Sequence, residues 1–86
     1  MPEISRFFGI IVRMFYNDHV PPHFHANYGE HEALVEIATL AIYRGHLPRR
    51  AMALVLEWAA MHRAELQDAW DASRAGQAPT AIAPLD

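Results

Sequence analysis

The sequence predicts an α+β fold: a three- or four-stranded antiparallel meander with one long C-terminal amphipathic helix packed on one face. Three observations predict it. Residues 7–44 hold short runs of β-branched and aromatic residues with the two-residue alternation of strands, separated by Asn, Asp, Gly and Pro. Residues 49–75 repeat apolar side chains at the helical period and contain no Gly or Pro. The chain has 86 residues, 52% hydrophobic and 20% charged, a composition that supports one small globular core.

The first strand is predicted over Phe7 to Tyr16, with Ile10, Val12, Met14 and Tyr16 turned to the core and Ile11, Arg13 and Phe15 turned away. Asn17 to Pro22 breaks it, since Asn and Asp favour turns and proline cannot sit in a central strand. The second strand runs from His23 to Tyr28. Phe24, Ala26 and Tyr28 face inward, which leaves His23, His25 and Asn27 together on the outer face. Gly29-Glu30 is a tight turn, and Glu32 to Ala38 forms the third strand with Ala33, Val35 and Ile37 inside.

A two-residue loop at Gly29-Glu30 fixes a register. Tyr28 pairs with His31, Asn27 with Glu32, His25 with Leu34 and His23 with Glu36, and core residues meet core residues. A short fourth strand is expected over Leu40 to Arg44. The helix then spans Pro48 to Ala75, opened by proline and stopped at Gly76, with a kink or break expected near His62 to Ala64. Its apolar face carries Leu54, Val55, Trp58, Leu66 and Trp70, with His62 near the centre. Residues 1–76 read as a single domain. Residues 77–86 read as an extended tail that Ile82 and Leu85 anchor on the core or on a partner.

Composition narrows the function classes. No apolar run reaches the roughly 18 residues needed to cross a bilayer. Met1 to Arg6 lacks the apolar segment of a secretory leader. The absence of cysteine excludes thiol catalysis, disulfides and cysteine-ligated zinc, and fits a cytoplasmic protein. The formal net charge is −3 and every basic side chain is Arg, so general nucleic-acid affinity is not expected, although a local Arg cluster can still hold RNA.

The candidate site is the outer face of the second strand, where His23 and His25 stand side by side near Arg13, Asn27 and Glu36. Three readings are open. In the first, His23, His25 and His19 bind zinc or another divalent metal, with Asp18 or Glu36 as a further ligand. In the second, His23 and His25 transfer protons and Arg13 holds an anionic substrate, the parts needed for ribonuclease-like cleavage. In the third, the face is simply solvated, or docks a protein or a second copy of the chain as a homo-oligomer. Two further groups are noted. His62 and Glu65, neighbours on the helix, read as a packed core histidine with its partner. Arg44, His46, Arg49 and Arg50 form a basic patch at the helix start, where cations oppose the helix dipole.

These residues bring a family resemblance into view. Asp18-His19, Pro21-Pro22-His23-Phe24-His25-Ala26 and Tyr28-Gly29 resemble the domain of unknown function 4160 family, as do Leu47-Pro48-Arg49-Arg50, Trp58-Ala59, His62-Arg63 and Glu65-Leu66. The likeness begins at Pro2-Glu3-Ile4 and covers nearly the whole chain. It carries over no activity. It implies a gene arrangement like a toxin–antitoxin pair, and hence a small antitoxin-like protein partner and a toxin role; RNA as a target is the reading of His23, His25 and Arg13 given above. Tyr43-Arg44-Gly45-His46 departs from the family pattern, where acidic or Lys residues are more usual.

Overall fold

The computed structural model describes residues 3–86; the readings that touch Met1 and Pro2 lie outside the described residues. The class is α+β, with more elements than the sequence suggests. Five strands form one antiparallel sheet in chain order: β1 (Glu3–Phe7), β2 (Ile10–Arg13), β3 (His23–Tyr28), β4 (His31–Glu36) and β5 (Ile42–Gly45). Two helices follow, α1 (Arg49–Met61) and α2 (Arg63–Arg74).

The fifth strand comes from splitting the expected Phe7–Tyr16 strand. The chain reverses at Phe8-Gly9, where both residues have positive φ, 49° and 80°. Positive φ at both central positions is the signature of the two-residue hairpin turn whose twist matches the flanking strands. Gly9 supplies half of that signature without strain, but Phe8 masks the rest: an aromatic β-former sits where Asn is the usual choice. Phe8 is 58% exposed, so its side chain contributes little packing in return for a left-handed backbone. Phe8→Asn is therefore expected to stabilise the protein by about 1 kcal/mol, seen as a higher urea midpoint with an unchanged slope; a lower midpoint would show that Phe8 packs more than its exposure indicates.

The β3–β4 pairing has the expected register throughout, from Tyr28 opposite His31 to His23 opposite Glu36. Ile10, Val12, Met14, Phe24, Ala26, Ala33, Val35 and Ile37 are buried on one side. Tyr16 is instead 68% exposed, because β2 ends at Arg13 and the chain has already turned. β5 starts two residues later than expected, after Leu40 takes a left-handed conformation (φ 61°). A bulge in its pairing leaves Tyr43 as the extra residue between Ile42 and Arg44.

The long helix is two helices. His62 leaves helical geometry (φ −127°, ψ 26°), its N–H bonds Ala59 O, and its carbonyl accepts the first α2 bond from Leu66. No Gly or Pro forces this. Trp58 packs on Phe24, whereas Trp70 packs on the ring of His23, which points to the other side of β3. The break at His62 thus separates two helices whose tryptophans pack on neighbouring residues of β3.

Ile82, from the tail, is buried and donates its N–H to Ile4 O at 2.8 Å, and Leu85 packs partly on the core. The acceptor is available because Ile4 is the extra residue of a second bulge, between β1 and β2. No helix among the described residues is long and apolar enough to cross a membrane.

Candidate metal centre

The β2–β3–β4 register sets the site. Arg13 lies directly opposite His25, and Asn27 opposite Glu32, so these side chains share one face of the sheet. The loop from Met14 to Pro22, which contains a cis Val20–Pro21 bond, returns over the start of β3 and brings Asp18 to both imidazoles. His25 Nε2 lies 2.8 Å and His23 Nε2 lies 3.3 Å from Asp18 Oδ2. One ligand-type atom from each of the three residues lies within 4.8 Å of the others.

The other ring nitrogens are also occupied. His23 Nδ1 is 2.8 Å from the Pro21 carbonyl oxygen, which only accepts, so Nδ1 carries a proton. His25 Nδ1 is 3.2 Å from Glu32 Oε2, and that oxygen also accepts from Asn27 Nδ2 at 3.3 Å. Arg13 in turn donates to Asn27 Oδ1 at 3.1 Å, completing a chain that holds Glu32 and through it the ring of His25.

With Nδ1 protonated, the Nε2 of a neutral His23 is a bare lone pair. It is buried, has no hydrogen-bond partner, and points toward a carboxylate. The hydroxyls of Ser5 and Ser73 are also buried without partners. His25 Nε2 meets the same oxygen at hydrogen-bond distance, so a proton on it or a metal between the three groups satisfies that contact, whereas the lone pair of His23 needs a cation of its own. In the metal case each ring would donate its remote N–H to a carbonyl or a carboxylate, the arrangement that orients metal-bound histidines.

The face is less open than expected. His23 is only 2% exposed, with the rings of His25, Trp70 and Tyr43 each 5.3 Å away. The sequence reading left this face free of the helix. The correction is that Trp70 of α2 and Tyr43 at the β5 bulge both lie against His23. Phe15 packs edge-on against His25 at 4.6 Å. Burial pushes the Tyr43 phenol above its ordinary range, with the charges of Asp18 and Glu36 adding to the rise and Arg44 opposing it. It therefore stays protonated beside the site at neutral pH.

The structure brings Asp18, rather than His19, to the two rings; His19 is exposed in the same loop. Arg13 serves the network through Asn27. Glu36 is paired with His23 in the ladder but makes no ion pair with it among the described residues. His62 is remote from this group: its Nδ1 bonds Glu65 Oε1 at 2.5 Å and its ring packs 5.5 Å from Trp58. Arg44, His46, Arg49 and Arg50 are all exposed. Sequence reasoning overlooked Glu32, Trp70 and Tyr43 as parts of the site. The signal for Glu32 was present, since the predicted register already put it diagonal to His25 on the same face.

A family model, the domain of unknown function described as DUF4160, matches residues 9–71. No curated protein and no solved structure matches the chain.

Proposed function

Because the chain belongs to the DUF4160 family, a domain of unknown function, its role has to be read from its side chains, and we propose that it is a divalent-metal-binding protein with Asp18, His23 and His25 as ligands. The observation that supports this most directly is the buried, unpartnered Nε2 of His23, aimed at Asp18 while Nδ1 is held by Pro21. The spacing is suitable. Ligand bonds of about 2.0–2.1 Å in tetrahedral geometry separate ligand atoms by about 3.3 Å, which is the His23–Asp18 separation; the shorter His25–Asp18 contact has to open by about half an ångström.

Imidazole with carboxylate suits zinc and its first-row neighbours. Three protein ligands leave at least one position for water or a substrate, the pattern of catalytic rather than structural sites. In hydrolysis such a metal activates its water. The partner-binding role implied by the resemblance and the RNA-directed chemistry read from His23, His25 and Arg13 draw no separate support from this geometry. Isothermal titration of metal-free, untagged protein tests the proposal: one zinc per chain with submicromolar affinity is expected, and no saturable binding overturns it.

A second reading, self-assembly through the sheet edge, has one observation behind it. Every residue of β5 is exposed, including Ile42 at 41% and Tyr43 at 45%, and an open edge offers unpaired backbone groups to another strand. Light scattering decides it: a dimer that Ile42→Lys or Ile42→Pro dissociates supports the reading, and a monomer at all concentrations removes it.

A further inference from the structure

Resting on the metal reading above, we propose that the cleft beside Asp18 is an anion subsite of the same centre and takes a phosphoester group. The cleft, about 450 Å³, is lined by Tyr16, Asn17, Asp18, His19, Val20 and Arg74. A volume of this order accepts a phosphate with a ring-sized substituent. Asp18 is the ligand that lines this cleft, with its side chain 23% exposed, whereas His23 is only 2% exposed, so of these two ligands Asp18 is the one open to an incoming group.

Arg74 comes from the C-terminal end of α2 and is fixed in two ways. Its Nη1 donates to the Asp18 carbonyl at 3.3 Å, and its guanidinium lies 5.6 Å from the centre of the Trp70 ring. Neither contact neutralises it, and no ion pair to Arg74 is present among the described residues. A guanidinium with one N–H engaged keeps further donors in a fork that suits phosphate oxygens. Asn17 and His19 add polar groups to the wall.

Charge favours an anion. Asp18 is the one carboxylate among the lining residues, and a divalent ion bound to it outweighs its charge, with Arg74 adding to the excess. A tetrahedral phosphate can place one oxygen on the metal and two on the guanidinium, whereas a planar carboxylate has too few oxygens for both.

Cobalt(II)-loaded full-length protein is the test, with phenyl phosphate as the probe. Its visible absorption bands, which report the ligands of the metal, are expected to change on saturable binding, with paramagnetic broadening of the probe's phosphorus resonance. Arg74→Gln should weaken the probe by about tenfold or more, the worth of one charge-assisted hydrogen bond, while Arg74→Lys retains part of the affinity and benzoate binds more weakly than phenyl phosphate. Each variant is first shown by titration to be cobalt-loaded. A cobalt spectrum indifferent to phenyl phosphate, or an Arg74→Gln response equal to that of wild type, overturns the subsite alone. Failure of the wild type to bind cobalt overturns the metal centre and the subsite with it.

Discussion

His25→Ala is expected to reduce zinc affinity by more than about 100-fold, because loss of an outer-shell partner alone costs about 10–100-fold and this change removes a ligand. Glu32→Ala, which frees the remote nitrogen of the same ring, should fall within that outer-shell range. The ordering is diagnostic, since a metal held adventitiously on the surface would respond to neither change in this graded way. Stability supplies a second readout. Metal that binds only the folded chain adds about 2.7 kcal/mol when its free concentration is about a hundredfold above Kd. For a domain of this size that corresponds to roughly 4–8 °C in Tm for each kcal/mol. His25→Ala should lose the rise. His25 is the better probe than His23, which is packed between Trp70 and Tyr43, so truncating His23 would also leave a cavity.

Trp58→Ala is expected to cost about 3–5 kcal/mol, the largest effect on folding. Trp58 is fully buried, its ring lies 5.2 Å from Phe7 and 5.9 Å from Phe24, and its Nε1 donates to Ala83 O at 2.8 Å. The substitution therefore opens a void between α1 and the sheet and also cuts a tie to the tail. Total stability of a small domain is about 5–15 kcal/mol, and a chain of 86 residues sits low in that range. Urea unfolding followed by circular dichroism should show a midpoint near zero denaturant, or no folded baseline. A midpoint within about 1 kcal/mol of wild type would mean that this packing does not hold the helical layer.

Much of the sheet was legible because period and register constrain each other. Once Phe24 and Ala26 are placed inside, a turn at Gly29-Glu30 leaves one pairing that buries Ala33 and Val35 beside them, and the observed ladder is that pairing. The Phe8-Gly9 hairpin was not legible because Phe8 takes a conformation that its chemistry disfavours, in the middle of an otherwise continuous strand-like run. The break expected near His62 to Ala64 from helix length is found at His62, although no Gly or Pro there forces it; what length could not show is that Trp58 and Trp70, on either side of it, pack on Phe24 and His23, neighbouring residues of β3. At the site, the two imidazoles followed from strand alternation. The choice of Asp18 over His19 did not, because a loop has no period, and only the path of the chain decides which neighbour turns inward.

The central claim is that Nε2 of His23 and of His25 face a common cation, with Nδ1 protonated on both rings. Long-range nitrogen–proton NMR of the imidazoles, recorded with and without zinc, reads this directly. In the zinc-bound protein both rings are expected to carry their proton on Nδ1 while both Nε2 signals shift to the metal-bound position. Two rings whose Nε2 signals stay unchanged at saturating zinc, or that bind it through Nδ1, would contradict it.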